Sequence, residues 1–280
     1  MTAPAPSTRV FALLGDPVAH SLSPAFQNAA LRALGCDGVY VALRCAGDDV
    51  AGLVRGLARA GGGGNVTVPH KAAAAAAVDR PSDAVRATGA CNTFWAEDGV
   101  VHGDNTDVEG VRAAILALTD GRVPASVVMA GAGGAARATA FAVREMGCAR
   151  LVVVNRGAAR AMALRDDLSD GRMAIHVVPA DGAIADDTFD LAINATTLGL
   201  RDGDAAPPLG DATFGAALDL VVRPGETAWV RAMRAAGVAA ADGREMLLMQ
   251  GAAAFRRWWG VDPPLDVMRA ALATATEGEG

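Results

Sequence analysis

Short apolar runs bounded by glycine alternate along this chain with longer windows in which apolar positions recur at helical spacing. Such runs suit strands buried on both faces, and the longer windows suit helices that cover a sheet. Strands are expected at residues 10–14, 39–43, 65–68, 126–130, 151–154, 176–178, 191–194 and 217–222. A helix is expected at 25–34, behind a Ser23-Pro24 start where a hydroxyl can cap and proline suits the first turn. Another is expected at 106–118, with Asp104, Asn105 or Thr106 as cap, and two closing helices at 244–259 and 265–273. The alternation predicts an α/β fold with parallel crossovers. A turn-rich break at 120–124 (DGRVP) precedes the run SVVMAGAGG and marks a domain junction, which divides the chain into segments 1–121, 122–241 and 242–280.

Composition narrows the function classes. At 280 residues the chain is long enough for two compact domains. Much of its 52% hydrophobic content is alanine, and no stretch approaches the roughly 18 uncharged apolar residues that span a bilayer. Residues 1–9 lack the apolar core of a signal peptide, so a cytoplasmic protein without a membrane partner is expected. The net charge is −6 and the basic residues are scattered singly, which argues against nucleic acid. Cys36, Cys45, Cys91 and Cys148 are too far apart for a redox pair or a zinc spacing and read as reduced structural thiols. His70, His102 and His176 show no metal spacing either, and His20 reads as a structural group, so no metal is expected.

The clearest chemical signal follows the run SVVMA. Gly131-Ala132-Gly133-Gly134-Ala135-Ala136 leads into a helical window and then a second strand, the βαβ pattern of a dinucleotide site. Gly131 allows the tight turn, Gly133 lets backbone approach a pyrophosphate, and Ala136 keeps the helix close to the strand. An NAD site carries an acidic residue at the end of its second strand. This chain has Asn155-Arg156, with Arg160 one helical step on. Guanidinium groups fork onto a 2′-phosphate that a carboxylate would repel, which selects NADP.

Three segments in the first half are polar where core packing does not call for it: Gly15 to Pro24 (GDPVAHSLSP), Asn65 to Lys71 (NVTVPHK), and GACNTF at 89–94 with GDNTD at 103–107. Lys71 begins a helical window, where the helix dipole opposes a cation. The motifs HSLSP, NVTVPHK, GACNTF, DNTD, GAGGAARA, NR and MLLMQGAAAF occur in the order of the shikimate dehydrogenase family, which the chain resembles from about residue 11 to 259. The resemblance implies a substrate domain built from the N-terminal part and the last helices, facing a Rossmann-like NADP domain. The implied partners are small molecules alone, 3-dehydroshikimate and shikimate, in aromatic amino-acid biosynthesis, with the enzyme a monomer or homodimer. It also makes Lys71 and Asp107 the catalytic pair. Ser21 and Ser23 would hold the substrate carboxylate, and Thr67, Asn92, Asp107 and Gln250 the ring hydroxyls. Thr196, Leu220, Gly243 and Asp83 are implied on the cofactor side.

The chain departs from the family pattern at three places. Val222 stands where the family has tyrosine, which removes a phenolic donor to the substrate unless Arg223 turns inward to replace it. Gln27 replaces a histidine, and Gly157 replaces a hydroxyl residue near the expected phosphate site. Other readings are a quinate-type dehydrogenase of different substrate or NAD preference, a catalytically silent ligand-binding relative, and a Rossmann methyltransferase. Intact Lys71 and Asp107 argue against the second, and Asn155-Arg156 against the third.

Overall fold

The computed structural model describes residues 5–182, 184 and 187–277. The extreme ends of the expected first and last segments, 1–4 and 278–280, lie outside the described residues. The chain forms two compact units, residues 1–106 with 248–280, and residues 107–247.

The first unit contains β1 (Arg9–Gly15), α1 (Ser23–Ala33), β2 (Gly38–Arg44), α2 (Val50–Arg59), β3 (Gly63–Val66), α3 (Lys71–Ala77), β4 (Arg80–Pro81), α4 (Asp83–Thr88), β5 (Thr93–Glu97) and β6 (Val100–Asp104). Its six strands lie in the order β2-β1-β3-β5-β6-β4. Parallel pairing holds for β1 with β2 and β3, but β5 runs antiparallel to both β3 and β6. The sheet is therefore mixed, with a hairpin beside its parallel crossovers. The cause is local: Asp98 and Gly99 both take positive φ, 50° and 77°, and close a two-residue hairpin between β5 and β6. The strand expected at 65–68 is β3, shifted to begin at Gly63 and stop at Val66, because the Thr67 carbonyl accepts from the His70 N–H at 2.9 Å and turns the chain.

The core of this sheet is apolar and aromatic. Phe11, Phe26, Tyr40, Phe94 and Phe255 are fully buried, each stabilising the fold by about 1.5–3 kcal/mol. The Trp258 ring packs 4.9 Å from that of Phe11 and donates its indole N–H to the Phe94 carbonyl at 3.2 Å, so the Trp258-Trp259 pair seats a helix on the sheet. That helix is α9, and α10 packs on α1; they span Arg244–Trp259 and Leu265–Glu277, α9 beginning in the second unit and passing into the first.

The second unit contains α5 (Asp107–Leu118), β7 (Ser126–Ala130), α6 (Gly134–Met146), β8 (Arg150–Asn155), α7 (Ala158–Leu168), β9 (Ala174–Pro179), β10 (Thr188–Asn194), β11 (Thr213–Asp219), α8 (Ala228–Ala235) and β12 (Ala239–Ala241). All strand pairs are parallel, in the order β12-β11-β10-β7-β8-β9. Consecutive residues Val127, Val128, Met129 and Ala130 of the central strand are fully buried, so both faces of the sheet are covered. Strand order reverses between β7 and β10, and ligands bind at such reversals, beyond the carboxyl ends of the strands. The strand expected at 217–222 is β11, which ends at Asp219 because the Asp219 carboxylate accepts from the Val221 N–H and bends the chain away.

Candidate functional site

In the first unit, turns after β1, β3 and α4 and the end of β6 gather most of the polar residues singled out in the sequence. The first two turns are tied by Asp16 N–H to the Val68 carbonyl at 3.1 Å and Thr67 N–H to the Leu14 carbonyl at 2.8 Å. Lys71 follows as the first residue of α3, and its own carbonyl accepts from the Cys91 N–H at 2.9 Å, so the third polar segment is held to the lysine's backbone. His70 is buried, with Nε2 2.9 Å from the Cys45 carbonyl, which anchors the start of α3 to the end of β2.

Asn92 is the hub of this cluster and is buried. Its Oδ1 accepts from Thr93 Oγ1 at 2.9 Å and from the Thr106 N–H at 2.7 Å, and its amide Nδ2 lies 3.4 Å from Gln250 Oε1. Of the four residues predicted to read ring hydroxyls, Asn92 and Gln250 touch here, and Thr67 stands in the neighbouring turn. Asp107 is the residue after Thr106, buried at the first position of α5, where the helix dipole favours a carboxylate.

Ser23 does not cap α1. Leu22 is the cap residue, without a side-chain bond, and the Ser23 hydroxyl instead bonds the Tyr40 phenol. Ser23 N–H points back to Ser21 Oγ at 3.3 Å, so the two serines form one turn. Tyr40 OH donates to Asn65 Oδ1 at 2.8 Å, and Asn65 Nδ2 donates to Thr93 Oγ1 at 2.9 Å. A buried polar chain thus runs from the serine turn to Asn92. Burial drives the Tyr40 phenol pKa far above its ordinary value, so it stays a neutral donor. Sequence reasoning missed Tyr40 and gave Asn65, the first residue of the NVTVPHK segment, no role. The signal was present: the chain's single tyrosine, and an asparagine inside a strand otherwise of glycine and valine.

Cys91, beside Asn92, has its thiol pushed up to about 12, chiefly by burial, with the Lys71 charge pulling the other way. It remains a neutral thiol whose Sγ lies 3.2 Å from the Thr93 carbonyl, a structural role.

The second unit supplies a crevice at its strand reversal. Gly131 has φ +114°, and a Cβ there would lie 2.6 Å from the Ala195 carbonyl oxygen. Its N–H donates to Val154 and the Ala195 N–H to Ala130, so the turn is fixed between β7, β8 and β10. A Cβ at Gly133 would meet nothing within 4 Å. Helix α6 then starts without a side-chain cap and without an acidic residue in its first turn. Its leading N–H groups, from Gly134 and Ala135, are a cradle for an anion. After β8, Asn155 Nδ2 bonds the Gly157 carbonyl at 2.8 Å, and Arg156 and Arg160 are exposed with no carboxylate between them in sequence. This donor set fits a dinucleotide with an additional phosphate on its ribose.

Around the same sheet end, Asn194 Oδ1 accepts from both Thr196 N–H and Thr196 Oγ1, and Leu220 N–H donates to the Asn194 carbonyl. A Cβ on Gly243 would lie 2.4 Å from the Leu220 carbonyl oxygen and 3.0 Å from Val222 Cγ2. Thr196, Leu220, Val222 and Gly243 therefore belong to one patch. Asp219 underlies it, buried, accepting from Asn194 Nδ2 at 2.8 Å and Thr227 Oγ1 at 2.7 Å; burial raises its pKa. Arg223 does not turn inward beside Val222: its guanidinium donates to the Gly199 carbonyl at 3.3 Å and to Asp202 at 2.7 Å. Asp83 belongs to the first unit, exposed at the start of α4 and paired with Arg86. Among the described residues no three potential metal ligands gather, and no helix is long and apolar enough to cross a membrane.

Residues 13–94 match the shikimate dehydrogenase substrate binding domain, and residues 243–273 match the shikimate 5'-dehydrogenase C-terminal domain. The shikimate dehydrogenase (NADP(+)) of Rubrobacter xylanophilus is 44% identical over 98% of this chain and 97% of its own length. That of Halobacterium salinarum is 42% identical over 94% of this chain and 98% of its own length. Among solved structures, the shikimate 5-dehydrogenase of Thermus thermophilus in complex with NADP(H) and shikimate superposes with a TM-score of 0.81 at 39% identity, covering 95% of this chain and 99% of that one. With similarity of this depth along nearly its whole length, the chain belongs to the shikimate dehydrogenase family.

Proposed function

We propose that this protein catalyses the NADP-dependent interconversion of 3-dehydroshikimate and shikimate, with Lys71 as the acid/base and Asp107 as its partner. One observation carries the activity: 44% identity over 98% of the chain to an enzyme named for it. When bound, the nicotinamide supplies the hydride in reduction and accepts it in the reverse direction. Reduction of a ketone builds negative charge on its oxygen, and the Lys71 ammonium donates a proton there from Nζ, regaining it afterwards from solvent. The Asp107 carboxylate orients that ammonium toward the reacting oxygen. In the reverse direction Lys71, transiently neutral, takes the hydroxyl proton.

Ser21 donates to the substrate carboxylate, joined by Ser23 once its hydroxyl turns from the Tyr40 phenol, while Thr67, Asn92 and Gln250 read ring hydroxyls. A site of buried hydroxyl-reading groups discriminates sharply, because a substrate lacking a hydroxyl leaves them unpaired. On the cofactor side, Gly131, Ala132, Gly133, Gly134 and Ala135 hold the pyrophosphate. Asn155, Arg156 and Arg160 hold the ribose phosphate, and Thr196, Leu220 and Gly243 border the nicotinamide. Asp83 would take part only if its pair with Arg86 opened. Four free thiols accord with a reducing, cytoplasmic setting, as monomer or homodimer.

Val222 favours a second reading, a related hydroxy acid such as quinate, since Arg223 is engaged elsewhere and supplies no replacement donor. Lys71→Met tests the mechanism. It should lower kcat at least a thousandfold with shikimate KM changed only a few-fold. Turnover near that of the parent would remove the acid/base role.

A further inference from the structure

Helix α9 carries another polar residue two turns beyond Gln250. Arg257 lies seven positions on, about 10.5 Å along the axis and within about 20° of the same face. Its Nε and Nη2 both converge on Asp104 Oδ2, at 3.1 and 3.0 Å. The other carboxylate oxygen of Asp104, Oδ1, accepts from Ser82 Oγ at 2.6 Å and from the Asn105 N–H at 2.8 Å. Asp104 is largely buried, so a guanidinium is the group that offsets its desolvation.

The helix does not depend on this pair for its place. Gln27 Nε2 donates to the Gly251 carbonyl at 2.9 Å, and Trp258 Nε1 to the Phe94 carbonyl at 3.2 Å, which fix α9 on the sheet independently. What Arg257 reaches from that fixed helix is Asp104 at the end of β6, whose carbonyl accepts from the Asn92 N–H at 3.0 Å, and through it the connecting residues 105–106 that follow. This connection delivers the Thr106 N–H to Asn92 Oδ1 at 2.7 Å and leads directly into Asp107. The direct amide contact between Asn92 and Gln250 is long, 3.4 Å, and cannot by itself hold the two amides at a set spacing. A ring of covalent and hydrogen-bonded links, Gln250 to Arg257 along α9, to Asp104, to Thr106, to Asn92, does so instead.

We infer that Arg257 and Asp104 are positioning residues for substrate recognition: the ion pair holds the 104–106 connection so that Asn92 and Gln250 present their amides together to the substrate's hydroxyls. Neither residue itself touches the substrate. The inference rests on the reading of Asn92 and Gln250 as substrate-binding groups. It adds that their geometry is set by a pair of residues 153 positions apart in the chain.

The test compares Arg257→Met, which keeps the apolar stem, Asp104→Asn, which keeps an acceptor for Ser82 and Asn105, and Arg257→Lys, each with its melting temperature and steady-state kinetics. Both pair-breaking variants should raise the KM for shikimate about fivefold or more and leave the KM for NADP+ within about twofold. Arg257→Lys should recover most of the loss, and the double variant Asp104→Asn/Arg257→Met should be no worse than the poorer single one. If Arg257→Met fails to fold, Asp104→Asn and Arg257→Lys carry the same comparison. A shikimate KM within about twofold of the parent in the folded pair-breaking variants, whatever happens to melting temperature, overturns the role, as does an equal rise for both substrates. Absence of shikimate turnover in the parent chain is a different result: it removes the substrate reading itself, and this role with it.

Discussion

Gly131→Ala and Gly133→Ala differ by two positions in the same turn and should fail in different ways. At Gly131 the backbone sits at φ +114°, where a side chain is strained by about 1–3 kcal/mol. The added methyl would also stand 2.6 Å from the Ala195 carbonyl oxygen and 2.9 Å from its carbon, both main-chain atoms just past the end of β10 that the Ala195 N–H bond to the Ala130 carbonyl holds in place. Overpacking of this kind costs about 1–3 kcal/mol more. The sum, about 2–6 kcal/mol, corresponds to a fall of about 4–24 °C in the melting temperature of the second unit. If the turn shifts instead to relieve the clash, the cradle at the start of α6 shifts with it, and the KM for NADP+ rises. Gly133 has an ordinary φ of −86° and open space around it, so its alanine variant should melt within about 2 °C of the parent. It should nevertheless bind NADP+ at least tenfold more weakly, because the methyl intrudes where the pyrophosphate backbone approach is needed. Differential scanning calorimetry and fluorescence titration with NADPH separate the two. Parent-like stability and cofactor affinity in Gly131→Ala, or equal destabilisation in both variants, would refute the reasoning.

Replacing Arg156 and Arg160 together with alanine should cut kcat/KM for NADPH about tenfold or more and leave NADH nearly untouched, since exposed guanidinium groups contribute through the phosphate alone; equal losses with both cofactors would argue against them as phosphate ligands. Thiol labelling reads the fold's interior. Burial raises the thiol pKa of Cys91 to about 12 and of Cys148 to about 11 and encloses both, so at pH 8 they should resist alkylation in peptide mapping; the Cys36 thiol is raised by burial too, but it is partly exposed and reacts first. Because these folded-state values lie above the ordinary thiol value of 9.0, the stability the two groups contribute is complete below about pH 9 and is lost as pH rises toward 11 and 12. Alkylation of native Cys91 at the rate of Cys36 would contradict the burial.

The parallel sheet of the second unit was legible because its strands are short, apolar and separated by helical windows; β7 and α9 coincide with their expected ranges. The glycine turn could be read as well, since its chemistry is local to six residues. The β5–β6 hairpin was hidden by the polar residues that make it useful, Asn92, Thr93, Asp104 and Asn105, although Asp98-Gly99 is a strong two-residue turn signal. The Ser23 to Tyr40 to Asn65 chain was beyond sequence reading for another reason. Its members come from three elements, and only pairing of β1 with both β2 and β3 places them together. Arg257 is harder still, an arginine among several on α9 until Asp104 is found opposite it.

Whether this chain reduces 3-dehydroshikimate with NADPH is decided by initial rates of the purified protein with that pair, measured beside quinate with NAD+. Rapid NADPH oxidation with 3-dehydroshikimate is expected, with a kcat/KM at least a hundredfold above that for quinate and NAD+, of the order that a missing hydroxyl partner or ribose phosphate contact produces. No turnover of 3-dehydroshikimate, or a preference for quinate with NAD+, would contradict the assignment.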